Sequence, residues 1–205
     1  TRSAGESHFL NINTVYAPNG DKVGEYLKRH PVPFGEYVPL RNVLDFIPQL
    51  ERVPRDMLRG EGPVVFQTPR GGVGTVISFE GAFSRLVRSE AQIGSQLLVI
   101  ATNEATYGGG PASDQLIGLA RVNAAAVGQD LVHAAITGKS TFISAAGDIG
   151  ESSELFEEVV LEGRVRFRTA GPTIFTRFGD WLAFIAIAGG LAAALVPGED
   201  RPDRR

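Results

Sequence analysis

The 205-residue chain contains no cysteine, and this excludes a thiol nucleophile. Histidine is also scarce: His8, His30 and His133 lack the spacing of metal ligands, and we expect them to be structural or solvated. There is no excess of positive charge, because the formal net charge is −3, and no basic stretch is interleaved with aromatic residues. The sequence therefore predicts no nucleic-acid partner.

The beginning of the chain has no charged segment followed by an apolar one before His8, so we expect no signal peptide in it. Internal repeats and low-complexity tracts are also lacking. A hydrophobic content of 43% over 205 residues is enough for one sizeable core. We therefore predict one globular domain, over residues 1–172, and one hydrophobic anchor.

The anchor is the uncharged segment from Trp181 to Val196, which Pro197 closes. Its length lies near the lower edge of the roughly 17–25 residues that cross a bilayer. A buried core helix is the alternative, but such a helix normally carries a polar face. We predict a transmembrane helix over 173–197.

A short tail, 198–205, follows this predicted helix and carries several arginines. Positive charge is enriched on the cytoplasmic side of membrane proteins, and Trp181 suits the interface at the other end of the helix. The tail is therefore predicted to be cytoplasmic, and the domain before the helix extracytoplasmic, in a protein of the cell membrane.

Within the domain, strand and helix patterns alternate, which predicts an α/β layered fold. Helical periodicity extends from Glu80 to Ile93 and from Asp114 to Val127, and the segment from Ser152 to Arg168 is acidic and then strand-like. The remaining strand patterns cover residues 9–16, 64–68, 74–77, 96–102, 131–136 and 141–145.

Two places in this pattern favour catalysis. The run from Lys28 to Pro39 contains three prolines, which restrict the backbone and hold Lys28 and Glu36 in place as in the wall of an active site. The second place is Ser78, between the strand ending at Ile77 and the predicted helix. A residue at such a turn projects into a site, and backbone N–H groups at the helix start suit an oxyanion.

The run from Lys28 to Pro39 resembles the lysine motif of the apolipoprotein N-acyltransferases, membrane enzymes of the nitrilase superfamily, with Lys28 and Glu36 on the motif's lysine and glutamate. Further matches follow in family order: Asn13-Thr14, Thr75 to Glu80, Thr102-Asn103 and the closing hydrophobic segment. The resemblance implies that the domain is the C-terminal part of a nitrilase-like four-layer αββα sandwich.

The resemblance also implies a function. Enzymes of this family transfer an acyl chain from a phospholipid to the N-terminal cysteine amine of a diacylated lipoprotein, through an acyl-enzyme and without cofactor or metal. Their cysteine attacks, a lysine stabilises the tetrahedral intermediate and a glutamate is the base. Phospholipid, lipoprotein and membrane are thus the implied partners. The implied catalytic positions in this chain are Lys28 and Ser78.

The nucleophile position departs from the family, since Ser78-Phe79-Glu80 replaces cysteine, an aromatic residue and glutamate. A serine hydroxyl is a far weaker acid than a thiol and needs an adjacent base. The family's base glutamate lies before the strand containing Asn13, where Glu6 is the only carboxylate and has no motif around it. We expect reduced or absent transfer. Whether Ser78 is natural or introduced stays open.

Three further residues are candidates for support. The resemblance implies that Glu36 and Glu80 lie beside Lys28 and position it or a substrate amine. Asn13 positions a substrate or a loop, or else satisfies a turn. Two other functions remain open at this point: a catalytically inactive relative that binds lipoprotein or a partner protein, and a nitrilase-like amidase.

Overall fold

The computed structural model describes residues 1–44 and 46–195. The strands are β1 (Arg2–Ser3), β2 (His8–Leu10), β3 (Ile12–Tyr16), β4 (Lys22–Leu27), β5 (Asp56–Met57), β6 (Val65–Thr68), β7 (Gly71–Ile77), β8 (Leu97–Thr102), β9 (Leu131–Ala135), β10 (Thr141–Ile143) and β11 (Ile149–Ser152). The α-helices are α1 (Arg41–Leu44), α2 (Ser84–Gln92), α3 (Ala112–Val127), α4 (Ile174–Phe178) and α5 (Trp181–Leu195). Short 3-10 helices cover Pro48–Arg52, Ser78–Ala82 and Ala105–Tyr107.

A six-stranded sheet in the order β11-β10-β9-β8-β7-β6 forms the centre. Its three middle strands, β7, β8 and β9, are parallel, so their carboxyl ends meet at one edge. Strands β6 and β7 form an antiparallel hairpin, with Thr68 opposite Gly71. The continuous apolar run of β8 reflects burial on both faces.

Helices α2 and α3 cover one face of this sheet through a core that includes Leu98, Ile100 and Leu131. The antiparallel hairpin β3-β4 packs against the other face, where Tyr26, Phe66 and Ile77 form a second core. Helices, sheet and hairpin are three consecutive layers of an αββα arrangement. The predicted α/β layering is confirmed.

Two local predictions are wrong. The helix predicted from Glu80 begins at Ser84, because Ser78–Ala82 form a 3-10 helix and Phe83 is extended. The segment after β11 forms no regular strand up to residue 168. Its backbone N–H groups bond elsewhere: that of Arg166 donates to the Asp130 carboxylate, and that of Arg168 donates to the Gln96 carbonyl.

The region predicted as one helix over 173–197 contains two helices. The first, α4, is hydrogen-bonded to α2: the guanidinium of Arg88 on α2 donates to the backbone carbonyls of residues 175–177. Gly179 then adopts a positive φ of 63°, and α5 follows as 15 uncharged residues. No helix within the described residues is long and apolar enough to cross a membrane. Residues 196–205, which include the end of the predicted span and the tail, lie outside the described residues.

Candidate active site

Ser78 occupies a strained turn at the carboxyl end of β7. Its φ is +53°, a region that non-glycine residues rarely adopt. The backbone reverses there from the strand into the 3-10 helix Ser78–Ala82. Such a conformation persists only when the surroundings hold it, and it exposes the side chain at the end of the sheet.

Glu80 holds this turn. Its side chain is fully buried, and Oε2 accepts hydrogen bonds from the Ile77 backbone N–H at 2.9 Å and the Tyr26 hydroxyl at 2.8 Å. Oε1 accepts the backbone N–H groups of Arg29 at 2.7 Å and His30 at 2.9 Å. Burial, and then the Glu80 charge, raise the pKa of Tyr26, so its hydroxyl remains a donor.

Glu80 was expected beside the side chain of Lys28. It contacts instead the backbone of the two residues that follow Lys28. One carboxylate therefore joins the Ser78 turn to the lysine segment, although more than forty residues separate them in sequence. The four hydrogen-bond donors replace the water that the carboxylate loses on burial, and a buried charge requires such partners.

Lys28 is itself buried, with 1% of its surface exposed. Its Nζ lies 2.7 Å and 2.6 Å from the two carboxylate oxygens of Glu36. Glu36 also accepts the Val32 backbone N–H at 2.8 Å and the Asn11 side-chain amide at 3.3 Å. The ammonium is thus fixed by a carboxylate that is itself fixed, and here the expected pairing of Lys28 with Glu36 is observed.

Ser78, Glu36 and Asn13 line one cavity of about 620 Å³ at the carboxyl ends of β7, β8 and β9. Glu36 is the only carboxylate among the described residues that line it. Lys28 and Glu80 lie behind this wall rather than in it. The cavity is therefore bordered by a hydroxyl and a carboxylate, with a buried ammonium directly behind that carboxylate.

Asn13 connects the two sheets at this cavity. Its side-chain amide donates to the Thr75 hydroxyl at 2.7 Å, and Thr75 lies on β7, three residues before Ser78. The side chain does not close a turn, which was the alternative considered from sequence. It instead sets the distance between β3 and the strand that carries Ser78.

The pair of Arg29 and Glu90 was missed from sequence. Glu90 lies on α2 with no exposed surface, and its Oε1 accepts from the Arg29 guanidinium at 2.8 Å. Burial raises the pKa of Glu90 to about 8, against the opposing effects of Arg29 and the Val64 N–H. One signal was available: Glu90 stands three residues after Val87 on the apolar side of the helix.

The sequence profile of the carbon-nitrogen hydrolase family matches residues 2–175. The chain belongs to the carbon-nitrogen hydrolase family. Its fold agrees with solved members of the nitrilase superfamily. Nit3 of Saccharomyces cerevisiae superimposes with a TM-score of 0.55 at 16% identity, over 73% of this chain and 51% of Nit3. A carbon-nitrogen hydrolase of Helicobacter pylori superimposes with a TM-score of 0.55 at 16% identity, over 73% of this chain and 54% of that protein.

Several curated proteins are more similar to the chain in sequence. The apolipoprotein N-acyltransferase of Geobacter metallireducens is 37% identical over 186 residues, which are 91% of this chain and 36% of that protein. The protein of the same name from Rickettsia prowazekii is 31% identical over 182 residues, or 87% of this chain and 36% of its own length. The chain thus spans just over a third of these relatives.

Proposed function

We propose that this chain is part of the catalytic domain of an apolipoprotein N-acyltransferase. The observation that carries the proposal is that Ser78 and Glu36 line one cavity, with Lys28 paired to Glu36 behind its wall and Glu80 tying the two segments together. Similarity to curated proteins of that name over about nine-tenths of the chain supports the substrate class.

In the proposed reaction, the Ser78 hydroxyl adds to the ester carbonyl of a phospholipid. The lysophospholipid leaves with the hydroxyl proton, and the acyl chain stays on Ser78 as an oxoester. The N-terminal amine of a diacylated lipoprotein then attacks this ester, which forms the amide and restores the hydroxyl. Lys28, fixed by Glu36, is the cation placed to stabilise negative charge that develops at this end of the cavity.

Ser78 sets the expected rate. A thiol near pKa 8.5 is partly ionised at neutral pH, whereas a hydroxyl is not and depends on a general base. An oxoester is also a poorer acyl donor to an amine than a thioester. We therefore propose slow transfer with Ser78 in place. The same substitution favours a second candidate, in which the fold binds a lipoprotein without acylating it.

The test uses the full-length protein in detergent, with a phospholipid that carries a labelled acyl chain and a diacylated peptide. Label on the protein and then on the peptide is expected to appear slowly for the protein with Ser78, faster for Ser78→Cys, and not at all for Ser78→Ala. Equal labelling in Ser78→Ala would overturn the role of Ser78. If only Ser78→Cys transfers label while the protein with Ser78 binds the peptide, the second candidate is correct.

We also propose that the protein acts at a membrane surface. The segment after Glu36 exposes a group of large apolar side chains, with exposures of 75% for Leu40, 62% for Val43 and 74% for Phe46. Large patches of this kind suit contact with lipid. Because Glu36 both holds Lys28 and lines the cavity, a lipid bound by this segment would lie near the candidate site.

The helix α5 supports an anchor in the same membrane. Its apolar side chains are exposed on all sides, as Phe184 at 70% and Leu191 at 63% illustrate. Its 15 residues extend over about 22 Å, so a complete crossing would need residues beyond Leu195. We propose the cell membrane as the location, with the domain outside the cytoplasm and the C-terminus inside. Fractionation with and without α5, combined with protease protection, tests both points.

A further inference from the structure

A second pair of ionisable residues lies under the loop that borders the candidate site. Glu104 follows β8 directly and is 2% exposed, while His133 on the neighbouring strand β9 is 1% exposed. The neighbours of Glu104 in the loop, Asn103 and Ala105, line the cavity of Ser78. Glu104 itself does not, and neither residue has a part in the proposed acyl transfer.

The hydrogen bonding of His133 determines what its other nitrogen can do. Its Nδ1 lies 3.1 Å from the Lys139 carbonyl oxygen, which can only accept, so Nδ1 carries a proton. In the neutral ring Nε2 then presents a lone pair. This atom lies 3.8 Å from Glu104 Oε1. A lone pair facing an ionised carboxylate is repulsive, whereas one added proton, on either side, makes the contact attractive.

The Glu104 carboxylate depends on this contact. Among residues 1–44 and 46–195, neither of its oxygens has a hydrogen-bond partner. A Cβ at Gly138 would collide with the carboxylate, so the group lies directly against the backbone of the β9-β10 turn. That turn is tied to α3 by the Lys139 N–H, which donates to Ser113 Oγ at 2.9 Å. The turn against which Glu104 packs is therefore itself anchored to α3.

The other charged groups near Glu104 and His133 pair with different residues or line a different cavity. From the β9-β10 turn, the Lys139 ammonium donates to Asp114 of α3 at 2.8 Å and lies 3.9 Å from Glu154. Glu157 and Glu158 border a separate cavity, which His133 also lines, and Glu104 does not line it. Glu104 is thus the carboxylate that faces Nε2 in the described part of the chain.

We propose that Glu104 and His133 hold one proton between them and thereby position the loop Asn103–Tyr107 at the candidate site. Loss of that proton at alkaline pH leaves a buried carboxylate facing a lone pair, and gain of a second at acid pH leaves a buried cation. Both changes loosen the loop. Its relevance to acyl transfer rests on the function proposed above, but the pairing itself does not.

Because this chain has no cysteine, Thr106→Cys places a thiol that is unique within it in the exposed part of this loop. A nitroxide attached there, in the full-length protein with any cysteine outside this chain replaced by serine, reports loop order by electron paramagnetic resonance between about pH 4 and about pH 9.5. Because burial lowers the pKa of His133, the mobile component is expected to be smallest at mildly acidic pH and to grow on both sides. A spectrum that does not change with pH would overturn the proposal.

Two variants separate positioning from general stability. The amide in Glu104→Gln brings its own N–H to the lone pair of Nε2, so the loop should stay ordered at alkaline pH. In Glu104→Ala the loop should be mobile throughout. The control Glu154→Gln, which changes an exposed carboxylate near the same lysine, should retain the original pH profile. An unchanged profile in Glu104→Gln would contradict the role of Glu104.

A second measurement can be made on the protein without any substitution. Nitrogen resonances of the His133 imidazole should show a proton on Nδ1 at every pH and a titration at Nε2 that coincides with a change in the Glu104 carboxyl resonance. Burial lowers the pKa of His133, and the Glu104 charge opposes this, so where Glu104→Gln folds the pKa of His133 should fall further. Independent titration of the two groups would refute the pairing. Neither measurement involves acyl transfer, so each stands or fails apart from it.

Discussion

Oε1 of Glu80 accepts the backbone N–H of Arg29 at 2.7 Å. This bond joins the turn that carries the nucleophile position to the segment that carries the buried lysine. The same carboxylate also receives the Ile77 N–H on the strand side of the turn. Glu80 is therefore a positioning residue for both halves of the candidate site, although it does not line the cavity.

Replacing Glu80 by glutamine should destabilise the fold. Four donors converge on the carboxylate, and an amide offers one acceptor and places a donor against donors. We expect Glu80→Gln to lower the free energy of unfolding by about 2–4 kcal/mol. Urea denaturation followed by circular dichroism measures this. Glu61→Gln, at an exposed position, serves as the control and should change the value by less than about 0.5 kcal/mol; equal effects would refute the role of Glu80.

The Lys28 and Glu36 pair should respond differently from a surface pair. Glu36→Gln leaves a buried ammonium without its counter-charge, so we expect a loss of about 2–4 kcal/mol in the free energy of unfolding. In Asp114→Asn the partner of Lys139 is removed, but Asp114 is 62% exposed, and the loss should stay below about 1 kcal/mol. Parallel urea titrations compare the two. Similar losses would show that the burial of Lys28 has no energetic role.

Some of this site could be predicted from sequence and some could not. The turn at Ser78 follows from an apolar strand that meets a change of periodicity, and the pairing of Lys28 with Glu36 lies within one short motif. The partners of Glu80 could not be predicted, because they are backbone N–H groups distant in sequence, which leave no side-chain pattern. The same holds for His133, whose tautomer depends on the Lys139 carbonyl.

Glu90 should make stability depend on pH. Its pKa is raised to about 8 in the folded protein from an ordinary 4.5, so the folded state keeps a proton that the unfolded state has lost. Its contribution is therefore favourable below about pH 4.5 and is lost progressively as the pH rises toward about 8. The free energy of unfolding should fall over this window, by an amount on the order of a few kcal/mol, relative to Glu90→Gln. Parallel curves for the two proteins would contradict the assignment.

The positive φ of Ser78 gives a prediction of the opposite sign. Glycine adopts such a φ without strain, so Ser78→Gly should preserve or raise the free energy of unfolding, by up to about 1 kcal/mol, while removing the hydroxyl. Ser84→Gly, in the first turn of α2 where φ is not positive, should lower it by about 0.5–1 kcal/mol. Denaturation of both variants measures the contrast. A clear loss in Ser78→Gly would mean that the turn stores no strain, whereas a gain would identify Ser78 as a residue kept for its hydroxyl at the expense of stability.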